Sequence, residues 1–250
     1  MSVLLIDVGN TRLKWAVSRS GRLSPVTRDC YPKEGGLHDF LAQQWGDIPS
    51  PTRVLAVSVA GQGLTDSIAA WAQQAWGVDV EWITSAPHAF GVRNAYLDPA
   101  RLGADRWVAL LAARQLIGGA VCVFDCGTAI TFDALAADGQ HLGGLISAGI
   151  AGMRQCLLQG TAGIELHAET AALTPFARDT SAGVMAGTYY AAVGFIEHML
   201  KEVQKHIEGP IKLVLTGGDA EALAPLINME FQHEPDLVIK GLNLIARGER

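Results

Sequence analysis

The stretch Val3-Leu4-Leu5-Ile6-Asp7-Val8-Gly9-Asn10-Thr11 decides how the chain is read. Its apolar run predicts a buried strand, and the run ends in an acid, a glycine and two small polar residues. A strand that carries a carboxylate and a glycine turn to its C-terminal edge can hold phosphate. The glycine lets backbone approach the ligand, Thr11 offers a hydroxyl, and Lys14 adds positive charge.

The same plan returns 118 positions later, in Val121-Cys122-Val123-Phe124-Asp125-Cys126-Gly127-Thr128. The next landmark repeats as well: Gly21 of Ser20-Gly21 lies 14 residues after Asp7, and Gly139 of Asp138-Gly139 lies 14 after Asp125. Both pairs read as hairpin turns. The repeat predicts a duplicated architecture, residues 1–118 forming one domain and 119–250 a second, with the active site in the cleft between two phosphate-facing edges.

Composition limits the classes of function. A chain of 250 residues with 49% hydrophobic and 18% charged residues is expected to be a soluble globular protein with ample core. A net charge of −6 gives no general attraction to nucleic acid or to an anionic membrane, so an anion must be bound locally. Asp7 interrupts the first apolar run, no secretory signal is recognisable, and Leu142 to Met153 is too short and glycine-rich to span a bilayer. The expected location is cytoplasmic. The four cysteines, Cys30, Cys122, Cys126 and Cys156, form no Cys-x-x-Cys pair, and free thiols are expected, with Cys122 and Cys126 buried.

Read in order, the first half predicts strands at Arg12 to Ser18 and Leu23 to Cys30, a short helix from Leu37, a strand at Val54 to Val59, a helix at Leu64 to Trp76, a strand at Val78 to Ile83 and a helix at Leu102 to Leu116. The second half predicts strands at Val121 to Phe124, Ile130 to Ala136 and His141 to Ile146, then helices near Ile150 to Leu158 and Thr180 to His206. It continues with a strand at Ile211 to Thr216, a helix near Ala220 to Ile227, a strand at Leu237 to Ile239 and a closing helix from Gly241 to Glu249. Trp71, Trp76 and Trp107 are expected in the core. Small residues at Gly183, Ala186, Gly187, Ala191 and Gly194 permit close helix packing.

Neither a Walker loop nor a dinucleotide fingerprint occurs. Phosphate is instead expected between the turns Asp7 to Thr11 and Asp125 to Thr128, with Leu215-Thr216-Gly217-Gly218-Asp219 available to a nucleoside. Asp105 begins a helix whose N-terminal amides stabilise a negative charge, and Arg106 beside it can grip a carboxylate in bidentate fashion. Three glycine turns at strand ends, in this order, resemble the actin-like kinase and hexokinase superfamily. The resemblance implies an α/β fold of duplicated ribonuclease-H-like (actin-like ATPase) domains, each a mixed five-stranded sheet flanked by helices.

The chain further resembles type III pantothenate kinases in Tyr96 followed by Leu102-Gly103-Ala104-Asp105-Arg106-Trp107, in Asp7-Val8-Gly9-Asn10-Thr11 and in Asp125-Cys126-Gly127-Thr128-Ala129-Ile130-Thr131. Gly143-Gly144, Asp179-Thr180 and Gly217-Gly218 belong to the same pattern. The resemblance implies phosphorylation of pantothenate to 4′-phosphopantothenate, with ATP and Mg²⁺, as the first step of coenzyme A synthesis. Asp7, Val8, Gly9, Asn10, Thr11, Arg12, Leu13 and Lys14 would cradle the ATP phosphates, with Thr128 adding a contact. Asp105 would be the base, Tyr96, Gly103, Ala104, Asp105, Arg106 and Thr180 would contact pantothenate, and Asp125 would bind potassium or ammonium. A homodimer is implied, Thr180 being offered to the partner's site. In the family, proline usually precedes the glycine at position 149, where this chain has Ala148. Two other readings fit the same turns: a kinase of another small hydroxyl acceptor, and a regulatory protein acting through binding alone.

Overall fold

The computed structural model describes residues 2–161, 163–166 and 173–248. The chain begins with β1 (Ser2–Val8), β2 (Arg12–Arg19), β3 (Arg22–Leu23), β4 (Thr27–Cys30), α1 (Leu37–Trp45), β5 (Arg53–Ser58), α2 (Gln62–Trp76) and β6 (Val80–Trp82). A small hairpin of β7 (His88–Ala89) and β8 (Val92–Arg93) and a 3₁₀ turn (Pro99–Arg101) lead into α3 (Ala104–Leu116). Then come β9 (Ala120–Cys126), β10 (Ala129–Leu135), β11 (His141–Ala148), α4 (Ile150–Gly160), α5 (Thr180–Gln204), β12 (Ile211–Thr216), α6 (Ala220–Leu223), a 3₁₀ turn (Ala224–Leu226), β13 (Gln232–His233) and α7 (Leu237–Arg247).

The contacts divide the chain into two units, one running to Ile117 and resuming at Asp236, the other spanning Gly118–Pro235. In the first, the sheet order is β3-β2-β1-β5-β6 with β4 also on β2. Strand β1 pairs antiparallel with β2 and parallel with β5, so both of its edges and both of its faces are covered. This is why its sequence is apolar throughout rather than alternating. Leu4, Ile6 and Val8 enter a core with Trp15, Leu41, Trp45, Ile68 and Trp71, supplied by β2, α1 and α2. By the two-residue period of a strand, Val3, Leu5 and Asp7 point to the opposite face. Helix α7 packs there on β1, β2 and β5 and against α3.

The second unit repeats the order as β11-β10-β9-β12-β13, with β9, β10 and β11 antiparallel and β9, β12 and β13 parallel. Its core joins Phe124, Phe132, Ile196, Leu213 and Leu215 with Cys122 and Cys126. All four cysteines are free; Cys122 and Cys126 are buried, Cys30 and Cys156 exposed. Buried Asp133 and His141 share a 2.9 Å hydrogen bond across the bulge where β10 and β11 shift register.

Three expectations are corrected. The strand placed at Leu23 to Cys30 is two short pieces, because Pro25 cannot donate to the ladder, so the first sheet has six strands rather than five. The strand at Leu237 to Ile239 and the helix after it are one helix, α7, as far as the described residues run; Glu249 lies outside them. β-branched Val238 and Ile239 and the break suggested by Gly241 mimic a strand and turn. A Cβ at Gly241 would sit 2.5 Å from the Val108 carbonyl oxygen, so the glycine is there to let α7 approach α3.

The third correction is the boundary at 118/119, which assigned this last segment to the second half. Residues from Asp236 onward belong with the first unit. Ser18 Oγ donates to Asn243 Oδ1 at 2.6 Å, Asn243 Nδ2 donates to the Gly21 carbonyl at 3.0 Å, and Arg28 pairs with Asp236 at 2.9 Å.

Candidate active site

In the first unit the β1–β2 connection is closed by the Gly9 amide donating to the Arg12 carbonyl at 3.1 Å, and Tyr31 Oη donates to the Gly9 carbonyl at 3.0 Å. Asn10, Thr11 and Arg12 are exposed on this turn. Val8 and Leu13 are fully buried, so they can offer a ligand only their main chain. Asp7 lies directly opposite Lys14 in the ladder, with its carboxylate 3.6 Å from Lys14 Nζ. Burial raises the Asp7 pKa from 3.8 to about 6; Lys14 opposes the shift and Asp105 adds to it. The residue-to-residue coupling fits the fold, since α3, which carries Asp105, packs on β5 and against α7 on the sheet face that Asp7 shares.

The excursion from β6 to α3 carries Tyr96 and delivers Asp105. Ser85 Oγ donates to the Leu102 carbonyl at 2.7 Å, which fixes the chain just before the helix. A Cβ on Gly103 would lie 2.7 Å from Asp105 Oδ1, so glycine leaves room for that carboxylate. The same oxygen accepts the Arg106 amide at 2.7 Å. Arg106 is buried, donates from Nη1 to Tyr96 Oη at 2.9 Å, and lies 5.8 Å from the centroid of that ring. Part of its donor fork is therefore engaged with Tyr96. A cavity of about 570 Å³ borders Gly103 and Ala104 and runs to the C-terminal ends of β5 and β6.

In the second unit Asp125 stands at the end of β9. A Cβ on Gly127 would lie 3.2 Å from Asp125 Oδ1, and one on Gly217, at φ +92°, would press into that oxygen and the Cys126 main chain. The Asp219 amide donates to the Cys126 carbonyl at 2.8 Å, locking the Gly217-Gly218-Asp219 turn over the end of β9. Thr128 is exposed, and its carbonyl accepts the Gly149 amide at 3.1 Å. Burial pushes the Cys126 thiol up to about 12, with Asp125 and Asp219 adding to the shift, so it stays protonated and inert. Thr180 opens α5 on an exposed turn, where Asp179 Oδ1 caps the helix by accepting the Ala182 amide at 2.8 Å.

The first unit thus gathers Asp7, Lys14, Tyr96 and Gly103 to Arg106, and the second gathers Asp125, Thr128 and the Gly217 turn. Sequence reasoning passed over Ser85, Asn94, the tight seat of Gly149 against Gly127 and Thr128, and the Asp133–His141 pair. Only Asn94 carried a local signal, the Asn-x-Tyr spacing at which an amide side chain caps the backbone two residues on. Among the described residues no group of three or more His, Cys, Asp or Glu is placed to hold a metal ion. A divalent cation fits this site as a partner of nucleotide phosphates beside one carboxylate, the mode natural to Mg²⁺, and buried Asp7 is a carboxylate that gains from added positive charge.

A profile of the type III pantothenate kinase family matches residues 3–202. The chain is 40% identical over 253 residues to a type III pantothenate kinase of Nitrosococcus oceani, covering 98% of this chain and 94% of that one. Among solved structures, a Campylobacter jejuni protein assigned to the Baf family of transcriptional activators superposes with a TM-score of 0.60 at 18% identity, covering 99% of this chain and 100% of that one. The activator of the 2-hydroxyisocaproyl-CoA dehydratase from Clostridium difficile, solved with bound ADPNP, gives 0.54 at 12% identity, covering 100% and 95%. At these identities the superpositions speak for the fold, which is that of the actin-like ATPases. The full-length sequence match goes further: the chain belongs to the type III pantothenate kinases, ATP-dependent transferases that work with a divalent metal and convert pantothenate to 4′-phosphopantothenate on the way to coenzyme A.

Proposed function

We propose that Asp105 is the base of this kinase, that residues Asp7 to Lys14 with Thr128 cradle the ATP phosphates, and that Tyr96, Gly103 to Arg106 and Thr180 receive pantothenate. The carrying observation is that Asp7, near the C-terminal end of β1, and Asp105, in the first turn of α3, belong to elements packed on one face of the first sheet, which supports a phosphate-side carboxylate and an acceptor-side carboxylate in one site. Phosphoryl transfer needs little covalent help from a protein and much positioning. The pantothenate hydroxyl oxygen forms a bond to the γ-phosphorus as the bond from that phosphorus to the bridging oxygen breaks. ADP leaves with the electron pair, and the hydroxyl proton passes to Asp105. Mg²⁺ on the nucleotide supplies neutralisation of phosphate charge; Lys14 adds a fixed cation, and the Gly9 turn allows close backbone approach.

Asp125 is the site assigned to potassium or ammonium. Its carboxylate is held at the end of β9 between two glycines, a rigid single-charge position suited to a monovalent ion. A homodimer formed through the second unit is supported by exposed Leu142, Leu145 and Ile146 on edge strand β11, exposed Leu157 on α4, and open space beside Gly187 and Gly194 on α5. In that assembly Thr180 is supplied to the partner's acceptor site. Among the described residues no helix is long and apolar enough to cross a membrane.

The test is ADP release by the purified protein with ATP, Mg²⁺ and pantothenate, comparing potassium with sodium against a control without acceptor. Pantothenate-dependent release stimulated by potassium supports both the acceptor and the cation assignments. Release from another hydroxyl acceptor but not from pantothenate overturns the first, and equal rates in sodium overturn the second.

A further inference from the structure

The geometry points to Asn94 as a positioning residue that sets acceptor affinity through Tyr96. Its side chain makes three hydrogen bonds, all to loop backbone. Oδ1 accepts the Tyr96 amide at 3.0 Å, and Nδ2 donates to the Ala86 carbonyl at 3.2 Å and to the Pro99 carbonyl at 3.3 Å. The Asn94 amide itself donates to the Pro87 carbonyl at 2.9 Å. One residue therefore ties the exit of β6, the backbone of Tyr96 and the 3₁₀ turn before α3 into a single body.

That body needs a pin, because between β6 and α3 its regular structure is only a two-residue-per-strand hairpin and one 3₁₀ turn. Such a loop has few ladder bonds of its own, and side-chain amides replace them. At the far end of Tyr96, Arg106 Nη1 donates to Oη. That bond anchors the phenol oxygen beside a buried guanidinium. Asn94 holds the backbone end and Arg106 the hydroxyl end, so the ring has one position from which to meet an acidic acceptor. Losing the Asn94 bonds frees the loop to move, and the hydroxyl loses its register with the acceptor while the phosphate turn of β1–β2 is untouched.

The inference rests on the assignment of Tyr96 to the acceptor pocket, so the two are tested together. Initial rates are measured with pantothenate and ATP varied in turn for Asn94→Ala, Tyr96→Phe and the double variant. Each single variant is expected to raise the pantothenate KM about tenfold, with kcat and the ATP KM within about twofold of wild type. The double variant is expected to be no worse than the worse single one, because both changes remove one coupled contact. If Tyr96→Phe alone leaves the pantothenate KM unchanged, the pocket assignment falls. If Tyr96→Phe raises it and Asn94→Ala does not, or if the two effects add, Asn94 is not acting through Tyr96. A parallel loss in kcat and ATP KM would make Asn94 merely structural. Asn94→Asp retains the oxygen that receives the Tyr96 amide and gives up both donors, so it guards against misfolding of the alanine variant. A wild-type pantothenate KM in Asn94→Asp would overturn the role given to the two donor bonds.

Discussion

Asp7 and Lys14 face each other across the β1–β2 ladder at 3.6 Å, yet the carboxyl titrates near pH 6 because burial outweighs the ammonium beside it. The folded chain thus holds a proton that the unfolded chain, with its carboxyl at 3.8, releases two pH units earlier. Stability falls as pH rises from about 4 to about 6 and is level above, an ionised Asp7 costing on the order of 3 kcal/mol at pH 8. Asp7→Asn is therefore expected to raise Tm at pH 8 by at least about 4 °C, with the gain shrinking toward pH 4. The same variant should lose phosphoryl transfer, and wild-type kcat/KM for ATP should fall below about pH 6. Thermal melts across pH alongside rates check both; a variant that is less stable at pH 8 would contradict the linkage.

Asp105→Asn keeps the size of the side chain and an oxygen able to receive the Arg106 amide. The fold should persist while the base is lost. We expect kcat to drop by about 10²- to 10⁴-fold with an ATP KM close to wild type. Wild-type kcat in a correctly folded variant would remove Asp105 from the chemistry.

The fold was legible where a residue's role is written in its immediate neighbours. The apolar runs ending in Asp7 and Asp125 mark buried strands because a strand covered on both faces has no polar alternation to disguise it. The parts that were not legible depend on distant partners. Gly241 looks like a helix breaker until Val108 is seen beneath it, and Gly149 looks like an ordinary turn residue until a Cβ there is found to press into the Gly127 and Thr128 carbonyls. The Ala148 that departs from the family pattern matters less than the glycine after it. For Arg106, adjacency to Asp105 suggested a hand free for a carboxylate; the structure shows Nη1 already committed to Tyr96, ten residues away.

Gly217→Ala tests the seat of Asp125 without touching its carboxylate. The residue has φ +92°, and a methyl there would collide with Asp125 Oδ1 and the Cys126 main chain. Backbone strain and displacement together should lower stability by about 2 kcal/mol or more. The concentration of potassium giving half-maximal rate should rise in the same variant. An unchanged potassium response in a destabilised protein would separate the turn from the cation site.

Asp125→Ala, by contrast, should erase the difference between potassium and sodium while leaving most of the fold intact, since Asp125 is only partly buried. Rates in the two salts should converge on the lower, sodium value. Persistent potassium activation would place the ion on other residues.

Thr180 gives the sharpest test of shared sites. If one copy supplies Thr180 and the other supplies Asp105, then Thr180→Val and Asp105→Asn each spoil both sites of their own dimer. In a mixed dimer the two defects fall together in one site, and the other site is wild type. Random exchange of equal amounts makes half the dimers mixed, so about a quarter of the sites should be restored, whereas each variant alone is nearly inactive. Mixing the purified variants, allowing subunit exchange and measuring ADP release reads this directly. Recovery to about a quarter of wild-type rate establishes the exchange. A rate that stays at the mean of the two variants, in a mixture shown by differential tags to have exchanged subunits, places Thr180 in its own chain's site or outside the site altogether.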